Sequence, residues 1–257
     1  MFAAAAGAEG GVTGILRASG ETVEKVLAEG DATPVSGQLS LDVQLSSQVA
    51  VNDAGAVAFR ATVTESGVTR QAIFVSPRVG AVVKVVAEGN ASPLGGAFNS
   101  FTPPALNNAG QVTFGATVSD GAAQRQGIFL ASAGDTIPVV IDGGPSPVGG
   151  VFALAVGAFG SPALNDKGEV AFGAHVVVPG AEGPSLLTPF GVFLHSGGQI
   201  TKLVADGDAT PLGGTYLGYK PFILGNSGNL LFMSSVDANG DGDPDNQGIF
   251  ATRAPVS

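Results

Sequence analysis

The residues with the clearest chemical capacity lie in one loop. Between the apolar runs Leu230 to Val236 and Gly248 to Phe250 stands DANGDGDPD, which sets side-chain oxygens at Asp237, Asn239, Asp241 and Asp245. Gly242 supplies the sharp bend and the carbonyl of Asp243 a further oxygen. Calcium takes six to eight hard oxygen ligands, and acidic side chains alternating along a tight loop turn theirs inward toward one point. Magnesium fits less well because it retains its water. The competing reading is a solvated acidic turn. In that reading four aspartates within nine residues repel one another and leave the turn loose. The expected cofactor is Ca²⁺, bound by Asp237, Asn239, Asp241, Asp243 and Asp245, with an affinity on the order of 10⁻⁴ to 10⁻³ M. The corresponding loops at Glu65 to Thr69, Asp120 to Gln124 and Pro179 to Thr188 lack the spacing, so the expected metal belongs to one place in the chain.

A second set of acids recurs. Glu29, Glu88, Asp142 and Asp206 each precede a Gly in a related turn, and Asp31, Asn90 and Asp208 follow two positions later, where the third turn has Gly144. Gathered on one face, they would form a rim that accepts hydrogen bonds from sugar hydroxyls or lines a cation site. The simpler expectation is that each carboxylate caps its own turn by accepting backbone N–H bonds, as Asp and Asn do locally.

Nothing in the sequence assembles a hydrolytic centre. The two histidines, His175 and His195, take positions where sister segments carry Thr, Ala or Ser, and they read as strand-face polar residues. No G-x-S-x-G elbow, P-loop or H-E-x-x-H is present. Paired carboxylates of the acidic turns could serve a glycosidase or lyase. The chain has no Trp, however, and only Tyr216 and Tyr219 as tyrosines, so sugar-stacking platforms are scarce.

The elements that position these residues follow from composition and repetition. Of 257 residues, 40 are Gly and 16 Pro, which argues against long helices, while 44% hydrophobic residues against 12% charged supply a core. A net charge of −10 repels nucleic-acid phosphate and anionic lipid. With no Cys, disulfides, thiolate metal sites and thiol nucleophiles drop out. No leader is recognised in MFAAAAGAEG, and the apolar stretch Val151 to Phe159 has about half the length of a membrane span.

Set against itself, the chain repeats every 55 to 64 residues. One segment reads VAFRATV from Val57, VTFGATV from Val112, VAFGAHV from Val170 and LLFMSSV from Leu230, with Phe2 opening a fifth copy. A second reads AIFVS from Ala72, GIFLAS from Gly127, GVFLHS from Gly191, GIFATR from Gly248 and GILRAS from Gly14. The third is the acidic turn with its preceding apolar run, at Ala28, Ala87, Ile141 and Ala205. The fourth ends in a turn at Gly55, Gly110, Gly168 and Gly228, with Asn52, Asn107 and Asn165 opening it and Gly225 in the last copy. Because both Asn and Gly enter the left-handed region cheaply, that exchange is expected to preserve the turn.

Period-two alternation and boundaries of Gly, Pro and Asn make each segment a short strand, four to a repeat. The expected class is all-β, a β-propeller-like array of four-stranded repeats, with a β-sandwich or β-solenoid as the alternative. The organisation is a hairpin over residues 1–19 followed by repeats at about 20–76, 77–131, 132–196 and 197–253, eighteen strands in one β-repeat domain. The remainder is expected to mark a piece of a longer array.

The pattern N-x-x-G-x-V-A-F-x-A, G-I-F and V-A-x-x-G-D-x-x-P, seen at Asn52 to Ala61, Gly127 to Phe129 and Val204 to Pro211, resembles a tandem-repeat family of bacterial exported proteins. Most of its members have no known function, and some end in a PEP-CTERM-type sorting signal. That resemblance implies a bacterial source and an extracellular or envelope location. The loop at Asp237 is similar to the calcium hairpins on integrin α-chain propellers. It departs from an EF-hand, whose closing Glu would fall at Gly248. The expected function is a non-catalytic extracellular binding module with one structural calcium site, presenting loops to a protein or polysaccharide, without nucleic acid or membrane insertion. The alternative is a propeller-type glycoside hydrolase or lyase.

Overall fold

The computed structural model describes residues 2–6, 13–35, 37–40, 49–155, 161–177, 190–218 and 221–252. Tyr219 and the loop Pro179 to Thr188 lie outside the described residues, as does the side chain of Phe2. The chain is all-β, with no helix among the described residues, hence none long and apolar enough to cross a membrane. Its strands form five antiparallel sheets in chain order. Sheet one is β1 (Phe2–Ala6), β2 (Gly14–Ser19) and β3 (Thr22–Ala28). Sheet two is β4 (Gln38–Ser40), β5 (Val49–Val51), β6 (Val57–Glu65), β7 (Val68–Ser76) and β8 (Val83–Ala87). Sheet three is β9 (Ala97–Phe101), β10 (Ala105–Leu106), β11 (Val112–Ser119), β12 (Gln124–Ser132) and β13 (Asp135–Ile141). Sheet four is β14 (Val151–Ala153), β15 (Ala163–Leu164), β16 (Val170–Val177), β17 (Phe190–Ser196) and β18 (Gln199–Ala205). Sheet five is β19 (Thr215–Leu217), β20 (Phe222–Leu224), β21 (Leu230–Asp237) and β22 (Asn246–Thr252).

Each complete sheet is a four-stranded, propeller-like meander whose first strand is broken in two: β4 and β5 both pair with β6, as β9 and β10 do with β11 and β14 and β15 with β16. Eighteen of the described strands are the repeated segments. The other four, β4, β9, β14 and β19, were not expected from them. Three of them, β9, β14 and β19, belong to a motif with the composition of a loop: Pro93-Leu-Gly-Gly-Ala-Phe98, Pro147-Val-Gly-Gly-Val-Phe152 and Pro211-Leu-Gly-Gly-Thr-Tyr216. The turn closes through Ser92, Ser146 and Thr210 N–H groups donating to the Gly96, Gly150 and Gly214 carbonyls. The new strand is then tied to the acidic turn by paired bonds, Phe98 N–H to Asn90 O and Gly89 N–H to Phe98 O, with Tyr216, Asp208 and Gly207 repeating the pattern.

In two of these pairs the second Gly is required twice over. Gly96 and Gly214 have φ of +73° and +72°, and a Cβ there would run into the backbone of Ser119 and Asp237 respectively.

The core is built sheet by sheet from one register pair. Phe59 faces Phe74 across β6–β7, Phe114 faces Phe129 across β11–β12, Phe172 faces Phe193 across β16–β17 and Phe232 faces Phe250 across β21–β22. The ring centroids of these pairs lie 5.5 to 5.8 Å apart. The aromatic of the unexpected strand closes edge-on against the pair, Phe98 on Phe129 at 5.0 Å, Phe152 on Phe193 at 4.9 Å and Tyr216 on Phe250 at 4.9 Å. In sheet two Leu39 takes this place.

The Gly of the G-I-F motif has its reason here, since a Cβ on Gly191 or Gly248 would meet the ring of Phe193 or Phe250 at 2.9 or 2.8 Å. Truncating one such ring costs about 3–5 kcal/mol.

The chain divides into two compact units, Met1–Pro138 and Val139–Ser257. Within the first, Ile15 and Leu27 of sheet one pack on the aromatic face of sheet two, and Ala58, Ile73 and Val86 of sheet two pack on the aromatic face of sheet three. Within the second, Ala171, Val192, Leu194 and Val204 of sheet four pack on Tyr216, Phe232 and Phe250 of sheet five. Each interface therefore sets large rings against small or branched aliphatic residues.

The Gly pair gives a direct check. Gly95 also has positive φ, at +80°, but a Cβ there meets nothing within 4 Å. Gly95→Ala is expected to cost ~1–2 kcal/mol. Gly96→Ala should cost at least about twice that, because the clash adds to the strain. Urea-denaturation midpoints of the two variants measure the difference.

Candidate functional site

The turns of the fourth segment form a ladder between neighbouring sheets. Asn52 Oδ1 accepts the Ala56 N–H inside its own turn at 2.9 Å, and its Nδ2 donates to the Asn107 carbonyl in the next at 3.0 Å. Asn165 repeats this, accepting from Glu169 N–H at 3.0 Å and donating to the Gly225 carbonyl at 3.3 Å. The following residues pair reciprocally: Asp53 N–H donates to Asn108 Oδ1 at 2.8 Å and Asn108 Nδ2 returns to Asp53 Oδ2 at 2.7 Å. Asp166 and Asn226 do the same at 3.0 and 2.6 Å. At the start of the chain the buried Arg17 takes the donor role, its Nη1 2.7 Å from the Gly55 carbonyl while Glu24 holds its other face.

The reason expected for Asn and Gly at this slot is therefore corrected. The positive φ falls on the closing Gly55, Gly110, Gly168 and Gly228, and neither the opening Asn residues nor Gly225 adopts one. Asn is there for its side chain. Gly225 accepts from Asn165 but has no side chain with which to donate onward.

The recurring acids are placed on separate sheets. Glu88 Oε2 accepts the Gln71 N–H at 3.1 Å, Asp142 Oδ1 the Leu154 N–H at 2.8 Å and Asp206 Oδ2 the Phe190 N–H at 2.9 Å. Glu29 occupies the same slot in the first turn, its N–H donating to the Thr13 carbonyl. Two residues on, Asp31 accepts from Ala28 N–H and Lys25, Asn90 from Ala87 N–H, and Asp208 from Ala205 N–H and Lys202. The Ala28 N–H bond, helped by Lys25, holds the Asp31 carboxyl below its ordinary range. The two histidines lie at opposite ends of the β16–β17 pair, His175 opposite Phe190 and His195 opposite Val170. Five residues of strand separate them, about 17 Å. Burial pushes the His195 imidazole below its ordinary pKa, and its Nδ1 has no hydrogen-bond partner.

The β21–β22 loop brings the five expected ligand positions together in one connected turn. Asp237, at the buried end of β21, accepts Gly240 N–H on Oδ1 at 2.6 Å and Gly242 N–H on Oδ2 at 2.9 Å. Asn239 Oδ1 accepts Asp241 N–H and Asp241 Oδ1 accepts Asp243 N–H, both at 2.9 Å. Asp245 reaches back to Ala238 N–H at 2.8 Å and Asn239 Nδ2 at 3.3 Å. The loop is thus ordered by its own backbone donors rather than loosened by its like charges. Each carboxylate oxygen keeps a second lone pair. Among the described residues no three acidic or histidine side chains already converge as a metal cage. Backbone donors, chiefly Gly240 N–H, hold the Asp237 carboxyl below its ordinary value of 3.8.

The profile of a family of unknown function (DUF7453) matches residues 2–255. No curated protein matches the chain. Among solved structures, the GH93 α-L-arabinofuranosidase of Fusarium graminearum in complex with arabinobiose is similar at a TM-score of 0.41 and 13% identity, over 95% of this chain and 74% of that one.

A carboxyl whose pKa is depressed on folding stabilises above its unfolded pKa, and that stability is lost as pH falls through the folded value. Asp237→Asn is therefore expected to lower the melting temperature at neutral pH, with the deficit narrowing as pH falls below 3.8. A melting series in acid measures it. A deficit that stays constant with pH would contradict the role given to the carboxylate.

Proposed function

Because the chain belongs, over residues 2–255, to the family of unknown function DUF7453, we propose its role from its own geometry. It is a non-catalytic repeat module, placed outside the cytoplasm, that holds loops toward a protein or polysaccharide and stiffens one of them with calcium. One observation carries this reading. The recurring carboxylates of Glu88, Asp142 and Asp206 each accept a backbone N–H near their own turn, so their repetition maintains turns. A glycosidase needs two carboxyls facing each other across a scissile bond, about 5–10 Å apart. The extracellular placement rests on the resemblance of the repeat motifs to exported proteins.

For calcium, the support is the ordering of Asp237, Asn239, Asp241 and Asp245 around one bend, with the Asp243 carbonyl in the same turn. Side-chain oxygens that already accept adjacent N–H groups are held in place, which lowers the ordering cost of binding an ion through their remaining lone pairs. A cation there would also relieve the mutual repulsion of the four aspartates.

Two measurements test the reading. Calcium should raise the melting temperature with a midpoint on the order of 10⁻⁴ to 10⁻³ M, and Asp241→Ala should abolish the rise. Indifference to both calcium and EDTA removes the site. On a panel of immobilised polysaccharides the protein should be retained without releasing new reducing ends. Release that disappears in Glu88→Gln or Asp142→Asn would establish the hydrolase instead.

A further inference from the structure

Three of the acidic turns are preceded by a lysine at one register position. Lys25 stands opposite Leu16, Lys84 opposite Phe74 and Lys202 opposite Phe193. Lys25 is paired with Asp31 at 3.1 Å and Lys202 with Asp208 at 2.6 Å. In sheet two the residue in the aspartate slot is Asn90, so Lys84 has lost its partner. A second cation of the same sheet is left over in the same way. Sheet three pairs Arg125 with Asp120 at 3.7 Å and lets it donate to the Leu94 carbonyl. The counterpart Arg70 follows Glu65 at the same spacing. Among the described residues no ion pair or side-chain hydrogen bond engages Arg70 or Lys84. No other repeat carries a cation in both slots: Arg125 goes with Pro138, Lys202 with Pro189 and Lys25 with Val12.

The two cations meet in one pocket. Alternation along β7 puts Arg70 on the face of Ala72 and Phe74, and Lys84, opposite Phe74, shares that face. Both are exposed, and both line a pocket of about 220 Å³ inside the first unit. Val35 and Val63 give it an apolar wall. Asn90, whose Oδ1 accepts the Ala87 N–H, keeps its Nδ2 for donation into the same space. Glu88 bonds Gln71 N–H through Oε2 and retains Oε1, and Glu65 lines the pocket as well.

These charges select the ligand. Two unpaired cations on neighbouring strands favour an anion between them, and the arginine fork matches a carboxylate. The carboxylates of Glu65 and Glu88 oppose a second negative charge but accept bonds from hydroxyls. A ligand with one carboxylate, several hydroxyls and an apolar ring face meets all of these demands. The volume lies below the roughly 300 Å³ at which drug-sized sites begin and admits one sugar ring. Because Arg70 and Lys84 are exposed, the mouth is open and a chain attached to that ring can continue into solvent. We propose that the pocket over β7 and β8 binds a hexuronate unit of an acidic polysaccharide, with Arg70 and Lys84 on its carboxylate and Asn90 and Glu88 on its hydroxyls. This deepens the module reading, on which the polysaccharide context rests.

Titration of the isotopically labelled full chain with sodium glucuronate, followed by amide chemical shifts, decides the matter. A dissociation constant on the order of millimolar is expected, weakening severalfold between about 50 and about 500 mM sodium chloride. Acetate, glucose and alanine should each bind at least about tenfold more weakly. Asn90→Asp restores the lysine pairing of the sister sheets and keeps the turn, since Asp31 and Asp208 accept the corresponding backbone N–H. It should weaken glucuronate binding about fivefold, and Arg70→Gln should do the same. Glu65→Gln, which removes a competing carboxylate, should tighten it. Absence of any shift up to about 50 mM glucuronate overturns the proposal. So does equal affinity for acetate, glucose or alanine, or indifference to both Asn90→Asp and Arg70→Gln. Retention on immobilised polygalacturonate that Asn90→Asp leaves unchanged removes the pocket but not the module. A chain that binds glucuronate through Arg70 yet is retained by no polysaccharide removes the module but not the pocket.

Discussion

A phenylalanine directly opposite a phenylalanine, on one pair of adjacent strands in each of sheets two to five, is the constraint from which the rest follows. The register pairs Phe59–Phe74, Phe114–Phe129, Phe172–Phe193 and Phe232–Phe250 fix which face of each meander is thick. Since side chains alternate across a strand, the same register forces the other face to be thin, and thick must meet thin for sheets to lie at packing distance. The glycines of the G-I-F motif and of the Gly-Gly turn serve this arrangement. One clears room for the ring, and the other brings the extra strand close enough for its aromatic to close the cluster.

Polar residues in this molecule mostly serve the backbone. Asn52, Asn107 and Asn165 are buried at the turns, and a buried amide without partners would be costly, so each is bonded inside its own turn. The acids of the third segment close their own hairpins. The loop after β21 takes that habit furthest, with Asp237 buried and bonded twice to the turn it begins. What distinguishes this loop from the acidic turns is the density of oxygen around one bend.

Much of the architecture was legible because repetition multiplies weak signals. A single V-A-F or G-I-F means little, whereas four or five copies at one spacing identify strands, and the alternation about Phe59 and Phe114 names the inward face. The third aromatic, Phe98, Phe152 or Tyr216, was less visible. Its strand is three to five residues long and follows a Pro and two glycines, a composition that reads as loop. The paired glycines preceding an aromatic at the same offset were the available signal. The role of Asn at the turns was also hidden, since its partner lies 55 or 60 residues away and a sequence alone does not reveal which carbonyl will stand there. The oxygen-rich loop was legible as a loop. Its hydrogen-bond order was not, because like charges counted along a chain suggest repulsion and take no account of the N–H groups between them.

The Asn ladder runs in one direction. Asn52 gives to the turn of the following sheet and Asn165 does likewise, while Gly225 only receives. A repeat of this kind is consequently not an interchangeable tile. It has a giving edge and a taking edge, and exchanging two repeats by recombination preserves the seams only where the receiving carbonyl meets a donor from the preceding unit. Duplication in tandem keeps that polarity automatically, whereas inversion or reshuffling would break it, which makes head-to-tail copying the route by which such a chain lengthens.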